Sequence, residues 1–519
     1  MSHAKSFLFG LATVLLAACA TNNKSDNVRP TTVTGLEKHR PEVHFTPASG
    51  WMNDPNGMFF LDGEYHLFYQ YYPDTTVWGP MHWGHAVSPD LVHWERLPIA
   101  LYPDSLGYIF SGSAVVDINN TSGFGTANNP PVVAIFTYHN AGEERAGKDD
   151  FQSQGIAYST DKGRSWKKYE GNPVLKSPHV RDFRDPKVSW IDESRQWVMT
   201  LAVKDHIEFY GSPDLKKWTK LSEFGKNDGD HGGVWECPDL FTLTDYTGKS
   251  KFVLLVSINP GAPNGGSGTQ YFVGSFDGKR FVSGTPGKNA GWIDYGKDDY
   301  AGVTFANVPA IDGRRIFIGW MSNWDYAQVV PTEAWRSATT IPRVLSLKNS
   351  GTGYVLKSTP VKELDKLVRK EMTLEASSDV DTIRVVSIED TLSIPLVLRG
   401  SVRKSDFALE LSNARHQKLI AGFNPAKDEF YIDRSVNMAT GFHRDFKSGM
   451  AAPRNAGDDT IEFTAVIDVS SVEFFFDDGA TTMTAITFPD EILREIKIYG
   501  QSSKVSAGPL KVQFLKPIW

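Results

Sequence analysis

Three acidic residues lie in short motifs whose other residues could bind or orient a ligand. The motifs are Trp51-Met52-Asn53-Asp54-Pro55-Asn56-Gly57, Arg184-Asp185-Pro186 and Trp235-Glu236-Cys237-Pro238. Carboxyl groups that share one cavity can act as nucleophile, general acid or general base. We therefore treat Asp54, Asp185 and Glu236 as candidate catalytic residues, on the condition that the fold brings them together.

Each motif also has a purely structural explanation when it is taken alone. Asn-Asp-Pro-Asn-Gly is typical of a tight surface turn, because proline fixes φ and Asn-Gly tolerates positive φ. Arg184 and Asp185 would form a structural ion pair, and Glu236 would sit at an exposed strand end. Chemistry is favoured because apolar residues flank the first motif and because the acidic motifs recur at regular intervals.

Short strands would position these acids. From His39 to Ser346 the chain consists of apolar runs broken by Gly, Pro, Asn and Asp, with almost no helical periodicity. An Asp-led turn followed by an aromatic residue recurs about every 50 residues or more, at 88–94, 159–166, 212–218 and 275–281. Repeats of this length predict propeller blades rather than the shorter repeats of a parallel β-helix. Four marked repeats, with room for another, predict a five-bladed β-propeller catalytic domain over 39–346.

A second series of segments recurs in phase with these turns, and it contains the candidate acids. Its members include Asp54, Ser111, Asp185, Glu236 and Tyr300. Segments at the same phase of each repeat should occupy the same position in each blade, so we expect them to be the innermost strands. Three carboxylates that are distant in sequence would then share one funnel at the propeller axis.

The sequence changes character after Arg343. A turn-rich stretch at 348–353 and a short amphipathic pattern from Pro360 to Lys370 predict a linker with a short helix over 347–370. Alternating strands over 371–519 predict an antiparallel C-terminal β-sandwich, so the whole chain is predicted to be all-β. No residue cluster in the sandwich suggests chemistry, and the chain is expected to be a monomer or a dimer.

The N-terminus predicts export. Lys5 precedes an apolar stretch, Phe7–Ala18, which is too short to span a bilayer and has the layout of a secretory signal. Leu16-Ala17-Ala18-Cys19 resembles a bacterial lipobox, which implies a signal peptide of residues 1–18 and lipidation of Cys19; the alternative is an ordinary signal cut nearby. Residues 19–38 are predicted to form a flexible tether. Ala20, which follows Cys19, is not an obvious signal for retention in the inner membrane. We therefore expect the protein to be anchored in the outer membrane.

Composition narrows the choice of partners. The chain has 519 residues, a net charge of −7, and 14 Trp, 18 Tyr and 31 Phe. It has no basic run or stripe, so nucleic acid is not expected and a neutral substrate is favoured. The many rings can supply both the core and a binding surface. Only Cys237 remains once Cys19 is lipidated, so no disulfide is expected. His82 and His85 would face opposite sides of a strand, and we therefore expect neither a metal nor a cofactor.

The three acidic motifs together, in this order and spacing, resemble glycoside hydrolase family 32, the family of invertases, inulinases and levanases. The resemblance extends over nearly the whole chain, through Gln70, Trp78, Trp83-Gly84-His85, Phe110-Ser111-Gly112-Ser113 and Gly319-Trp320-Met321-Ser322-Asn323-Trp324. It implies that Asp54 is the nucleophile and Glu236 the general acid/base. It also implies that Asp185 is a stabiliser that binds fructosyl hydroxyl groups.

Residue types within these motifs indicate which side chains would hold a sugar, because rings stack on C–H faces and polar groups bind hydroxyls. The candidates are the rings of Trp51, Trp78, Phe110 and Trp324 and the polar groups of Asn53, Gln70, Ser111 and Arg184. Arg184 is also expected to keep Asp185 charged. Cys237 is expected to be a buried thiol that tunes Glu236 rather than a nucleophile.

The function implied by the resemblance is retaining release of β-D-fructofuranosyl residues from levan, inulin or sucrose through a fructosyl-enzyme intermediate. The lack of long insertions favours exo attack, while endo-levanase, endo-inulinase and transfructosylase activities remain alternatives. A non-catalytic fructan-binding lipoprotein should lack at least one carboxylate, and all three are present. The arabinanases and xylosidases also have five blades and three acids, but the specific residues of the Asp54 and Glu236 motifs disfavour them.

Overall fold

The computed structural model describes residues 37–519, apart from 286, 288, 289, 352, 388–393, 439 and 448. The predicted signal peptide, the lipidation site at Cys19 and most of the predicted tether lie outside the described residues. The regular secondary structure of the described residues is almost entirely strand, arranged in seven sheets. Its helices are α1 (Ala141–Arg145) and 3₁₀ turns at Ala327–Val329, Lys362–Leu367 and Arg444–Lys447. None of these helices is long and apolar enough to cross a membrane.

Five sheets follow one another along the chain, each with four antiparallel strands in sequence order. The first contains β1 (Gly50–Leu61), β2 (Glu64–Tyr72), β3 (His82–Ser88) and β4 (Glu95–Leu101). The second contains β5 (Tyr108–Val116), β6 (Val132–His139), β7 (Gln152–Ser159) and β8 (Lys167–Lys168), with β9 (Leu175–Lys176) paired to β7. The third contains β10 (Phe183–Ile191), β11 (Gln196–Val203), β12 (His206–Ser212) and β13 (Thr219–Phe224).

The last two of these sheets complete the repeat. The fourth contains β14 (Val234–Thr244), β15 (Ser250–Asn259), β16 (Gly268–Phe276) and β17 (Phe281–Ser283), with β18 (Gly291–Trp292) paired to β16. The fifth begins with β19 (Tyr300–Thr304) and β20 (Arg315–Met321). The chain then forms β21 (Trp335–Arg336), which pairs with β1, and β22 (Ala338–Thr339), which pairs with β20. The fifth sheet ends with β23 (Arg343–Asn349) and β24 (Tyr354–Pro360).

The first strands of the five sheets close into a ring. β1 contacts β5 and β19, β10 contacts β5 and β14, and β14 contacts β19. The segments that contain the candidate acids are thus the innermost strands, and the sheets form the predicted five-bladed β-propeller. The parallel pairing of β21 with β1 fastens the last blade to the first.

The Asp-led repeats join the third and fourth strands of the first four blades. Asp90 Oδ1 accepts a hydrogen bond from the backbone N of His93 at 3.0 Å, and Asp214 Oδ1 accepts one from Lys217 N at 2.9 Å. The tryptophan that follows closes the turn, as when Trp94 Nε1 donates to the carbonyl oxygen of Leu91 at 2.9 Å. These repeats are therefore turn-capping motifs that fix the blade spacing.

The predicted propeller boundary at residue 346 lies too early. β23 and β24 pair as a hairpin from Arg343/Pro360 to Asn349/Tyr354, so the turn-rich stretch closes a hairpin within the fifth blade. Turn composition is the same in a hairpin and in a linker, which explains the error. The helix predicted at 360–370 is a single 3₁₀ segment, Lys362–Leu367, and a strand follows it directly.

The C-terminal region is a β-sandwich, as predicted. Its strands are β25 (Val368–Leu374), β26 (Ser377–Val380), β27 (Thr382–Val386), β28 (Leu396–Arg403), β29 (Phe407–Ser412), β30 (Lys418–Asn424), β31 (Glu429–Asp433), β32 (Met450–Pro453), β33 (Thr460–Asp468), β34 (Ser471–Phe476), β35 (Thr481–Ile486), β36 (Glu495–Gly500), β37 (Val505–Ala507) and β38 (Leu510–Leu515). One sheet has the order β25-β38-β28-β33-β34-β35, and the other has the order β27-β36-β29-β30-β31-β32. Leu409, Phe463 and Phe474 belong to the single core between the two sheets.

Buried ion pairs join the sandwich to the propeller. Arg343 of β23 donates to Asp294 at 2.9 Å and to Glu473 of β34, and all three side chains are completely buried. His44 lies between Asp468 and Glu473, at 2.7 and 2.8 Å. Burial lowers the pKa of His44, but these two carboxylates raise it to about 9. A buried charge without its partner is costly, so this network fixes how the two parts dock.

Candidate active site

All five innermost strands are interrupted at the same depth. Their pairing with the second strand shifts register between Met52 and Pro55, Ile109 and Gly112, Arg184 and Lys187, Glu236 and Asp239, and Tyr300 and Val303. Such β-bulges re-aim the neighbouring side chains. In the last three blades a residue of the bulge has positive φ, namely Asp185 (65°), Cys237 (44°) and Ala301 (53°). This conformation is unfavourable for residues other than glycine and is often found at functional sites.

The bulges bring the three candidate acids together around Cys237. The Cys237 Sγ lies 3.5 Å from Asp54 Oδ2 and 3.6 Å from Asp185 Oδ2. The backbone N of Cys237 also donates to Asp185 Oδ2 at 3.1 Å. Glu236 is the preceding residue, so carboxylates from three blades meet near the beginning of the inner strands.

Asp54 is oriented by hydrogen-bond donors on both of its oxygens. Ser111 Oγ donates to Oδ2 at 2.6 Å and Asn53 Nδ2 donates to Oδ1 at 2.9 Å. Burial and the charge of Glu236 raise the pKa of Asp54, whereas the hydrogen bonds from Ser111, Asn53 and Cys237 lower it. The donors therefore stabilise the ionised form of a carboxylate in an environment that otherwise opposes its charge.

Glu236 is held by two residues from the neighbouring blades. Arg184 Nε donates to Oε1 at 3.1 Å, and the Tyr300 hydroxyl donates to Oε2. Burial and the charge of Glu236 raise the pKa of Tyr300 well above its ordinary value, so this phenol remains a donor. The carboxyl group of Glu236 thus has a fixed orientation, and its side chain is still 21% exposed.

Arg184 donates hydrogen bonds to Asp182 and Glu236, whereas the sequence suggested an ion pair with Asp185. Its Nη1 donates to Asp182 Oδ1 at 2.6 Å, and its Nε donates to Glu236. Burial lowers the pKa of Arg184, but Glu236, Asp185 and Asp182 raise it above its ordinary value. Arg184 therefore affects Asp185 through its charge, whereas its hydrogen bonds position Glu236.

Asp185 is the most enclosed of the three acids. Burial and the charges of Glu236 and Asp54 raise its pKa to about 7, against the opposing charge of Arg184. The backbone N of Asp185 donates to Thr137 Oγ1 at 3.0 Å, and Thr137 donates to Gln154 Oε1 at 2.7 Å. These contacts with β6 and β7 hold the bulge in its positive-φ conformation.

The prediction that Trp51 stacks on a sugar is wrong. Its side chain is 0% exposed and packs against Trp320 and Trp324. The Trp51 Nε1 donates to Asn53 Oδ1 at 2.7 Å, and Asn53 in turn donates to Asp54. Trp51 therefore orients Asn53, which is also buried.

The remaining predicted ligands differ in accessibility. Gln70 is buried and donates to the carbonyl oxygen of Ile109 at 3.0 Å. Trp78 is exposed and meets the partly buried ring of Phe110 edge-on at 5.9 Å. Trp324 is partly exposed and stacks on Trp51 at 5.8 Å. Ring surface is therefore open at Trp78, Phe110 and Trp324.

Three residues that hold the acids or Arg184 in place lie outside the three acidic motifs. Tyr300 holds Glu236, Asp182 anchors Arg184, and Thr137 supports Asp185. The phase of the innermost strands pointed to Tyr300, but its partner lies on another blade. Cys237 was expected to tune Glu236, whereas its thiol contacts Asp54 and Asp185 because the bulge turns it away from its neighbour.

The two histidines considered as metal ligands have separate partners. His85 Nε2 lies 3.1 Å from His66 Nδ1, and His82 Nδ1 lies 2.9 Å from the carbonyl oxygen of Pro80. Among the described residues, the clusters with metal-ligand spacing are Asp149-Asp150-His179 and His206-Glu208-Glu223. Neither cluster includes Asp54, Asp185 or Glu236.

The ring of five blades, with three carboxylates gathered at the axis, has the architecture and the acidic groups of a propeller-type glycoside hydrolase. Residues 44–360 match the family model of the glycosyl hydrolases family 32 N-terminal domain, and residues 356–514 match that of the glycosyl hydrolases family 32 C terminal. The chain belongs to glycosyl hydrolase family 32.

Similar proteins extend over most of the chain. A levanase of Bacillus subtilis (strain 168) is 46% identical over 490 residues, covering 93% of this chain and 71% of the levanase. An extracellular exo-inulinase of Aspergillus awamori is 39% identical over 490 residues, covering 87% and 90% of the two chains. The crystal structure of exo-inulinase from Aspergillus awamori matches with a TM-score of 0.84 at 34% identity, covering 94% of this chain and 100% of that one.

Proposed function

We propose that this protein is a retaining β-fructosidase that releases terminal β-D-fructofuranosyl residues from levan or inulin, and from sucrose. The observation that carries this proposal is the meeting of Asp54, Asp185 and Glu236, from three blades, around Cys237 in one site. Asp54 receives hydrogen bonds on both oxygens, and Glu236 is held by Arg184 and Tyr300. Two carboxyl groups that are held in fixed orientations in one site suit a nucleophile and a general acid/base.

In the first step, an Asp54 oxygen attacks the anomeric carbon of the fructosyl unit. The bond to the leaving oxygen breaks, and Glu236 gives its proton to that oxygen. The product is a fructosyl ester on Asp54. In the second step Glu236 takes a proton from water, the hydroxyl oxygen attacks the same carbon, and Asp54 leaves as a carboxylate. Two inversions retain the configuration.

Asp185 and Arg184 complete the proposed machinery. Asp185 is a buried carboxylate beside Asp54 and is suited to accept hydrogen bonds from fructosyl hydroxyl groups. Arg184 keeps the carboxyl group of Glu236 directed towards the leaving oxygen. The open rings of Trp78, Phe110 and Trp324 would supply stacking surface around the sugar.

Product analysis of the purified wild-type enzyme tests the reaction and its direction. Exo attack is supported by the name of one of the similar proteins, the exo-inulinase of Aspergillus awamori. We expect levan and inulin to yield fructose alone from the earliest times, with β-fructofuranose as the first anomer seen by NMR. A ladder of oligosaccharides would show endo attack, and longer products at high sucrose would show fructosyl transfer. A binding protein without catalysis would yield no product.

We also infer that the chain is exported and lipid-anchored through Cys19. The apolar stretch Phe7–Ala18 followed by Leu-Ala-Ala-Cys supports this, as does the extracellular location named for one similar protein. Expressed in a bacterial host with labelled fatty acid, the wild type should incorporate label and the Cys19→Ala variant should not. Cys237→Ser removes the other cysteine and should keep the label. An unlabelled wild type would contradict the anchor.

A further inference from the structure

A group of exposed apolar side chains lies on two neighbouring loops of the propeller. Val77 and Trp78 belong to the loop between β2 and β3, and Tyr102 and Leu106 belong to the loop between β4 and β5. Their exposed fractions are 39%, 37%, 48% and 36%. We call these four residues the apolar rim. Burying such side chains is favourable, so a group of them beside a binding site offers surface on which a ligand can pack.

Both loops open on the face of the propeller that holds the carboxylates. Asp54 and Ser111 lie near the beginnings of β1 and β5. In an antiparallel blade, the connection between the second and third strands returns to the end where the first strand begins, and so does the connection into the next blade. The rim therefore borders the site between the first two blades.

The rim is continuous with the site. The Trp78 ring meets the Phe110 ring at 5.9 Å, and Phe110 precedes Ser111, whose hydroxyl donates to Asp54. Further out, the Tyr102 ring meets His82 edge-on at 5.4 Å. His82 begins β3 directly after the loop that contains Trp78, so the Tyr102 ring lies beside that loop.

The outer loop is held in shape by Asp104. Its Oδ1 accepts from the backbone N of Leu106 at 2.8 Å, and its Oδ2 accepts from Tyr138 Oη at 3.0 Å and Lys168 Nζ at 2.6 Å. Asp104 and Gly107 also exchange two backbone hydrogen bonds of 3.1 Å. A loop fixed in this way loses little conformational entropy when a ligand binds.

We propose that Val77, Tyr102 and Leu106 form an outer sugar-binding surface for units of a fructan chain beyond the one attached to the scissile bond. This proposal rests on the proposed function and specifies its substrate as a chain of several units. Sugar rings present flat C–H faces to aromatic and aliphatic side chains. The site between the carboxylates takes the terminal unit, so a longer chain must pass over its border. Sucrose has a single unit beyond the scissile bond, so by this proposal it does not reach the outer surface.

The test compares substrate lengths in a Tyr102→Ala/Leu106→Ala double variant. We expect kcat/KM for a fructan tetrasaccharide and for the polymers to fall about tenfold, while kcat/KM for sucrose stays within about twofold. The matched control is Tyr246→Ala/Ile311→Ala. Both control residues are exposed apolar side chains on connections between first and second strands, at the opposite face. The control should match the wild type on every substrate.

Two other results would contradict the outer surface, and a third would contradict the proposed function. An unchanged kcat/KM for the longer chains would overturn the outer surface, and so would an equal loss on sucrose and on longer chains. Activity on sucrose also shows that the variant is folded. If the wild type released no fructose from any substrate, the proposed function itself would fail. The two outcomes that overturn the outer surface would leave the proposed function intact.

Discussion

Replacing Asp54 with asparagine should lower the rate of fructose release by about 10⁴-fold or more. The carboxamide has the same size and keeps one of the two oxygens, so it can accept the hydrogen bond from Ser111 or the one from Asn53, but not both. It is a poor nucleophile, so the fructosyl ester cannot form. Initial rates on sucrose and inulin, with mass spectrometry of the denatured protein, would measure both the loss of turnover and the absence of a fructosyl adduct.

The control for this variant is Asp62→Asn. Asp62 follows the end of β1, and its side chain is 58% exposed and pairs with Lys162. It should have wild-type activity, because it lies at the opposite end of the strand from Asp54. Retention of more than about a tenth of the activity by Asp54→Asn would remove Asp54 as the nucleophile.

Replacing Glu236 with glutamine should lower hydrolysis of sucrose and fructans by about 10²- to 10⁴-fold. Glutamine cannot give a proton to the leaving oxygen or take one from water. A fructoside with an acidic aryl leaving group needs no protonation, so formation of its ester should be affected far less. Azide needs no general base, and it should restore turnover of the aryl substrate with fructosyl azide as the product.

This pattern separates loss of acid/base chemistry from damage to the site. Glu95→Gln removes an exposed carboxylate of β4 and should leave activity on all substrates unchanged. If azide failed to accelerate Glu236→Gln with the aryl substrate, or if sucrose were cleaved at the wild-type rate, Glu236 could not have the assigned role. Azide would displace Asp54 from the same side as water does, so the fructosyl azide should have the retained β configuration.

The fold could be predicted because its repeats are local. Each Asp-led turn satisfies its own backbone N–H groups, so the signal is contained in a few consecutive residues, as at Asp90 and Asp214. The end of the propeller was placed too early because the turn between β23 and β24 has the composition of a linker. Only strand pairing distinguishes the two.

That the three acids lie together could be predicted, but most of the contacts that hold them could not. Asp54, Asp185 and Glu236 lie in motifs with their own sequence context, whereas the contacts from Tyr300 to Glu236 and from Thr137 to Asp185 cross between blades. Trp51 shows the limit of residue type as a guide. A tryptophan suits either a sugar platform or a core, and its exposure decides which.

The five bulges have a consequence for how such a site can diverge. Every blade offers an equivalent position at the axis, and this chain fills those positions with Asp54, Ser111, Asp185, Glu236 and Tyr300. The backbone is nearly symmetric while the chemistry is not, because only the side chains break the pseudo-fivefold order. A substitution at one position can therefore alter charge or reach locally, and the scaffold that supports the other four need not be rebuilt.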